Sequence, residues 1–105
     1  NNNIGIFYLL KCFNHEENFY KIGITCRSVK IRYSNGSDLP YNWKILWEIN
    51  DIPEKIWEIE SFYKKQIKEV IYTPKLWKCK TSTECFKCHG NSKFLKKVYV
   101  DNVKS

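Results

Sequence analysis

One acidic residue of the chain is placed where a carboxylate could bind a metal ion. The segment that follows Pro53 carries apolar residues at helical spacing, and Glu54 and Glu58 fall on the face opposite that stripe. Glu60 instead lies only about 70° from the centre of the stripe, at 100° per residue. A carboxylate at the edge of a core is either paired or bound to a cation. The plainer alternative is an i,i+4 ion pair with Lys64, which stabilises a helix by about 0.2–0.5 kcal/mol.

A second group of residues has the chemistry of an anion site. Lys21 lies in an apolar segment that is predicted to be a strand, and alternation puts it on the same face as Gly23, which leaves room for a ligand. Arg32 follows in or near the first turn of the next predicted helix, where backbone N–H groups and the helix dipole favour anions. Together these groups could hold a phosphate. The alternative is that Lys21 protects an edge strand from aggregation and Arg32 is simply solvated.

The cysteines form a third candidate group. Five Cys cannot all be paired in disulfides, and no basic-then-apolar leader opens the sequence, so we expect a reducing, cytoplasmic setting. The C-x-x-C-H pattern at residues 85–89 matches a haem attachment site, but the sequence has no Met to serve as an axial ligand. A structural Zn²⁺ is better supported, with free thiols as the alternative. The candidate zinc ligands are Cys79, Cys85, Cys88 and His89, with Cys12 or Cys26 as a possible replacement for the fourth.

The charge distribution points to a polyanionic partner. The chain of 105 residues carries a net charge of +7. Residues 61–105 hold eleven Lys and three acidic residues, whereas residues 1–60 hold seven Lys and Arg and eight acidic residues. A basic half beside a nearly neutral half is typical of a surface that contacts the phosphate backbone of a nucleic acid. A lysine-rich solvated surface is the alternative.

The predicted elements describe one α+β domain over residues 1–105, in which 75–105 is a basic, Cys-rich extension. The composition, 43% hydrophobic and 16% aromatic, excludes a disordered chain. The longest apolar run, about five residues, is too short to cross a membrane, so we expect no membrane partner. Strands are predicted at 4–12, 19–24 and 43–49, and helices at 29–35, between Ser28 and Gly36, and from Pro53 to Val70. This order predicts a small three-stranded antiparallel sheet flanked by helices.

Four segments, in this order, resemble the GIY-YIG nuclease family, and in particular its phage and viral branches. They are IFYLLK (6–11), YKIGIT (20–25), RSVKIRY (27–33) and EIESFYKK (58–65). The tyrosine of the family's first motif matches Tyr8, and Lys21 stands where most members have a second tyrosine. The family's helix arginine matches Arg32, and its metal-binding glutamate matches Glu60. The later STECF (82–86) resembles a further motif of this branch, which makes Glu84 a weaker candidate.

The resemblance implies an endonuclease that hydrolyses DNA phosphodiester bonds with one divalent ion, Mg²⁺ or Mn²⁺, held by Glu60. Tyr8 would act as general base or relay the proton, and the surrounding cations would lower its pKa from the ordinary value of about 10. Arg32 would bind phosphate oxygens bidentately, and Lys21 would position the water or the phenolate. Further substrate contacts are expected from Arg27, Tyr20, Lys64, Lys75 and Lys78.

Two other functions remain open at this point. One is a catalytically silent nucleic-acid-binding module, with or without a structural zinc ion that stabilises it. The other is an enzyme that acts on RNA, because nothing in these residues distinguishes the two nucleic acids. The sequence also leaves open whether the protein is a monomer or a homodimer.

Overall fold

The computed structural model describes residues 4–34, 39–77 and 83–98. The strands and helices follow the predicted order β-β-α-β-α, and a short fourth strand comes after them. The elements are β1 (Gly5–Phe13), β2 (Asn18–Thr25), α1 (Val29–Arg32), β3 (Asn42–Asp51), α2 (Pro53–Ile67) and β4 (Cys85–Phe86), with single 3₁₀ turns at Lys68–Val70 and Lys93–Leu95. The α+β class is confirmed.

The sheet has four antiparallel strands in the order β3-β1-β2-β4, one more than the sequence predicts. The additional strand, β4, pairs Tyr20 with Phe86 and Lys21 with Cys85. Two residues are too few to show an alternating pattern, so this strand is defined by its partner rather than by its own sequence. Lys21 therefore lies on a strand that is paired on both sides. The alternative that it protects an exposed edge is wrong.

The central strand β1 is buried on both faces, as predicted, and separates two clusters of core residues. Side chains on one face, including Phe7 and Leu9, pack against α2. The alternate residues, including Tyr8 and Leu10, form a second cluster with α1 and the segment after it. The predicted apolar stripe of α2 is confirmed by its four buried residues, which are Ile56, Ile59, Tyr63 and Ile67. The helix is expected to reach Val70 but ends at Ile67, and Val70 is half-buried in the 3₁₀ turn that follows.

The start of α1 is the predicted one, but its end is earlier. The Ser28 Oγ accepts a hydrogen bond from the Ile31 N–H at 3.1 Å, so Ser28 is the N-cap. The helix ends at Arg32 because Tyr33 leaves the helical conformation, with φ −113° and ψ 28°, and buries its side chain against Tyr8. The predicted terminus at Gly36 lies outside the described residues.

Helix α2 begins at Pro53. Proline has no backbone N–H, but the first N–H groups of a helix have no partner within the helix, so proline at this position costs no hydrogen bond. It spans 15 residues and carries polar side chains on its outer face. Within the described ranges, no helix has the length and apolar content that a membrane crossing needs.

Candidate functional site

Tyr8 lies in the middle of β1, and its hydroxyl group lies next to β2. The side chain is buried, and its hydroxyl oxygen is 2.6 Å from that of Tyr33. Gly23 is opposite Tyr8 in the β1–β2 register. A Cβ atom on Gly23 would stand 2.3 Å from the Tyr8 hydroxyl oxygen. The space that we expected Gly23 to leave for a ligand is therefore occupied by the Tyr8 side chain.

Lys21 places a buried ammonium group beside this tyrosine pair. Its Nζ donates to the Glu84 carboxylate at 2.6 Å and to the Ile22 carbonyl at 3.2 Å, and it lies 5.1 Å from the centre of the Trp77 ring. Burial alone lowers the pKa of Lys21, but Tyr33 and Glu84 outweigh that effect and raise it. Lys21 therefore stays positively charged at neutral pH.

Glu60 lies at the edge of the same group, on α2. Burial raises the pKa of its carboxyl group, Lys64 lowers it, and Glu84 raises it further. The Lys64 Nζ is 3.9 Å from Glu60 and 4.0 Å from Glu84. The i,i+4 pair that the sequence suggests is thus present, but Lys64 shares its charge between two carboxylates. Lys21 adds a second ammonium to this cluster through its contact with Glu84.

Arg32 is exposed at the end of α1. Its guanidinium lies 4.8 Å from the centre of the Tyr33 ring, a distance typical of a cation–π contact. Its charge also lowers the pKa of Tyr8, so it lies within electrostatic reach of the tyrosine pair. Arg27 is exposed in the turn between β2 and α1, where its backbone N–H donates to Thr25 Oγ1 at 3.2 Å.

The protein groups around Tyr8 raise its pKa rather than lower it. The lowered pKa that we expect from the cations together with a bound metal ion stays a prediction. Burial raises the pKa of the Tyr8 phenol, and Tyr33 raises it further through its charge and its hydrogen bond. Arg32 opposes these effects without outweighing them. Tyr8 is therefore a neutral phenol at physiological pH, and its hydroxyl can donate one hydrogen bond while it accepts another.

Some predicted substrate contacts lie away from this group. Tyr20 faces the other side of the sheet, in the cluster that packs against α2, with its ring 5.6 Å from that of Phe86. Lys75 is exposed near Glu17, to which its backbone N–H donates at 3.4 Å. Lys78 lies outside the described residues.

Three residues that shape the site are not among the predicted site residues. Tyr33 holds the Tyr8 hydroxyl, and Trp77 covers the Lys21 ammonium. The buried Glu17 accepts hydrogen bonds from the hydroxyls of Tyr41 and Tyr72. Only the position of Tyr33 directly after Arg32 offered a signal, because the other contacts join residues that are far apart in the chain.

The described cysteines do not gather into a zinc site. Cys85 is buried in the cluster that contains Tyr8, whereas Cys88 packs against the cluster on the α2 side. His89 is exposed, and burial raises the pKa of the Cys88 thiol, which disfavours the thiolate that zinc binds. Across 4–34, 39–77 and 83–98, no three His, Cys, Asp or Glu residues are grouped to hold a metal. Cys79 lies outside these ranges.

The other two candidate cysteines lie in different surroundings. Cys12 is buried in the same cluster as Cys85, and burial, followed by the charge of Cys85, raises its pKa to about 12. Cys88 packs against the cluster on the other face of the sheet, so Cys12 is not placed beside it as a replacement ligand. Cys26 is exposed.

The group around Lys21 combines a buried cation, an exposed guanidinium, a neutral phenol and a partly buried carboxylate. These are the groups needed to bind a phosphate, to accept a proton from water and to hold a hydrated cation. Comparisons of the chain with protein-family models, with curated proteins and with solved structures find no match.

Proposed function

We propose that the protein is a divalent-metal-dependent endonuclease of the GIY-YIG type that hydrolyses phosphodiester bonds in DNA. The observation that carries this proposal is that Tyr8, Lys21, Arg32 and Glu60, each from a different element, are linked through shared neighbours. The Tyr33 hydroxyl is 2.6 Å from that of Tyr8, and the Tyr33 ring contacts Arg32. Glu84 contacts Lys21 and Lys64, and Lys64 is 3.9 Å from Glu60. The charge of Arg32 affects the pKa of Tyr8, and that of Lys21 affects the pKa of Glu60. The order of strands and helices is also the one that the resemblance implies.

Arg32 contacts the phosphate in this proposal, and the buried Lys21, which Trp77 covers, acts on the phosphate through its charge. The Glu84 carboxylate holds the Lys21 ammonium group in place, so the positive charge of Lys21 has a fixed position. Arg32 is exposed, so its planar guanidinium is accessible to two phosphate oxygens at once. Their combined charge would stabilise the additional negative charge of the pentavalent transition state.

Glu60 fits the role of metal ligand. Its carboxylate is 21% exposed, and Lys64 Nζ at 3.9 Å is beyond hydrogen-bond distance. Mg²⁺ usually keeps several waters and is bound by one or two carboxylates together with substrate phosphates, so a single glutamate is sufficient. A bound ion would polarise the phosphate and stabilise charge on the leaving oxygen.

Tyr8 would relay a proton rather than act as a preformed phenolate. A neutral Tyr8 accepts a hydrogen bond from the attacking water while it donates to Tyr33, 2.6 Å away. As the water oxygen bonds to phosphorus and the bond to the leaving oxygen breaks, the water proton passes to Tyr8. In the same step the Tyr8 proton passes to Tyr33 and Tyr33 releases its own proton to solvent, so that neither phenol carries two protons. The leaving oxygen takes a proton from water.

The direct test is a nicking assay on supercoiled plasmid with Mg²⁺ or Mn²⁺, and with EDTA as control. We expect nicked plasmid with either metal and none with EDTA. No nicking, together with salt-sensitive retention of DNA in a gel shift, would reject the nuclease and favour the catalytically silent binding module. Cleavage of RNA alone under the same conditions would reject DNA as the substrate.

A further inference from the structure

We infer that a groove at the C-terminal end of α2 binds one unpaired nucleotide of the substrate strand, next to the phosphate that is cleaved. This inference rests on the proposed function, and it adds that the nucleic acid is single-stranded next to the cleaved phosphate. The groove has a volume of about 350 Å³ and is lined by Lys64, Lys65, Lys68, Ile71 and Thr83.

The charge of the groove matches a phosphate. Three of its five lining residues are lysines, and none of the five is acidic. Lys65 and Lys68 are exposed, and neither forms an ion pair with another described residue. Their ammonium groups are therefore available to a polyanion, which gains affinity when its counterions are released.

The apolar part of the groove lining, formed by Ile71 and called the floor, matches a base or a sugar rather than a second phosphate. The Ile71 side chain is 37% exposed there, and the methylene stems of the lysines extend the apolar surface. A duplex presents phosphates and sugars outwards and keeps its bases stacked inside, so it would contact the lysines but leave this floor unused. An unpaired nucleotide can place its base on the apolar floor and its phosphate among the lysines.

The groove is continuous with the candidate active site. Lys64 lines the groove and also lies 3.9 Å from Glu60 and 4.0 Å from Glu84. Thr83, which also lines the groove, directly precedes Glu84, which holds Lys21. A strand whose phosphate lies beside Glu60 would therefore enter the groove with its next nucleotide.

The test measures binding by fluorescence anisotropy in EDTA, where the metal-dependent cleavage cannot occur. The probes are a short fluorescein-labelled oligo(dT), a duplex of equal length, and oligo(rU), which distinguishes DNA from RNA. We expect the wild-type protein to bind oligo(dT) more tightly than the duplex. The Lys65→Ala/Lys68→Ala variant should bind oligo(dT) at least about tenfold more weakly, with a salt slope reduced by about 1.4, or 0.7 for each lost phosphate contact.

A matched control removes two lysines elsewhere. Lys44 lies on β3, at the opposite edge of the sheet from β4, and Lys55 lies in the first turn of α2. The Lys44→Ala/Lys55→Ala variant has the same net charge and should lose less affinity. An equal loss in both double variants, or wild-type binding that does not favour oligo(dT) over the duplex, would overturn the inference.

The apolar floor is tested separately with Ile71→Ala, after circular dichroism has shown that the variant is folded. This change should weaken oligo(dT) binding more than duplex binding. An equal effect on the two probes would contradict a base or sugar contact at Ile71. Because these binding measurements involve no turnover, they remain decisive even if the nicking assay fails.

Discussion

Tyr8 and Gly23 face each other across β1 and β2 and share one small volume. A Cβ on Gly23 would lie 2.3 Å from the Tyr8 hydroxyl oxygen and 2.6 Å from the ring carbon that bears it. Both atoms belong to a buried ring in the core, so the clash cannot be relieved by a small rotation of a flexible chain end. The Tyr8 phenol can therefore occupy this position only because residue 23 is a glycine.

We predict that Gly23→Ala destabilises the protein by about 1–3 kcal/mol, the usual cost of overpacking a core. Alanine in place of glycine inside a strand would by itself stabilise it by about 0.5–1 kcal/mol, so the clash should dominate. Urea denaturation measures the difference. Gly90→Ala is the control, because a Cβ there has no heavy atom within 4 Å. Equal stability of the two variants would show that Tyr8 does not occupy this space.

The prediction for Arg32 concerns the shape of its side chain rather than its charge. Arg32→Lys keeps a cation on α1 but loses the bidentate fork and the stacking on Tyr33. We expect single-turnover cleavage to slow by about 10²–10³-fold, as for loss of one transition-state donor, with little change in stability. The neighbouring exposed Lys30→Ala should cleave at nearly the wild-type rate. A wild-type rate for Arg32→Lys would remove Arg32 from the phosphate-binding group.

The segment after α2 is held in place by a buried carboxylate on the β1–β2 hairpin. Glu17 accepts hydrogen bonds from the Tyr41 hydroxyl at 2.5 Å and from the Tyr72 hydroxyl. The Tyr41 oxygen in turn accepts from the Leu76 N–H at 3.0 Å. The next residue, Trp77, lies over Lys21. Glu17 therefore connects the hairpin to the residue that covers the candidate active site.

This connection predicts an acid-dependent loss of stability. Burial alone raises the pKa of Glu17, but the hydrogen bonds from Tyr41 and Tyr72 outweigh it and lower the pKa below its ordinary value. Because the folded state lowers this pKa, the stabilisation is fully present above the unfolded pKa of about 4.3 and is lost as the pH falls through the folded value. Glu17→Gln should therefore flatten this part of the acid-unfolding profile and cost about 1 kcal/mol at pH 7.

The control for this element is Glu16→Gln, in the same turn but exposed. Its effect should stay within about 0.5 kcal/mol, and its acid profile should match that of the wild type. Urea denaturation at a series of pH values measures all three proteins. An unchanged acid profile in Glu17→Gln would mean that the Glu17 carboxylate does not hold this segment in its ionised form.

The elements that sequence predicts well are those defined by local chemistry. The Ser28 cap, the Pro53 start and the apolar stripe of α2 depend on neighbours within a few residues, and all three are observed. Strand β4 and the Glu17–Tyr72 contact depend on pairing across 55 residues or more, and the Glu17–Tyr41 contact spans 24 residues. No local pattern encodes contacts at these separations. The early end of α1 also depends on a residue that is distant in the sequence, because it is set by the packing of Tyr33 against Tyr8.

For the whole molecule, the candidate site forms where the short strand β4 begins. β4 pairs with β2 only at Tyr20 and Lys21, and the Glu84 carbonyl then accepts from the Ile22 N–H at 3.0 Å. This arrangement brings the Glu84 side chain to Lys21 and, through Lys64, to Glu60 on α2. The motifs predicted which residues to examine, and STECF (82–86) pointed to Glu84. No alternating pattern, however, predicted that Cys85 and Phe86 form the strand that joins these residues.

The measurement that tests the central claim most directly compares plasmid nicking and DNA binding for Glu60→Gln and Glu58→Gln. Both substitutions remove one carboxylate charge from α2, but Glu58 lies on its outer face, near Lys55. We predict that Glu60→Gln loses metal-dependent nicking while its DNA binding in EDTA is unchanged, and that Glu58→Gln nicks plasmid like the wild type. Nicking at the wild-type rate by Glu60→Gln would contradict the assignment of Glu60 as metal ligand and with it the proposed nuclease site.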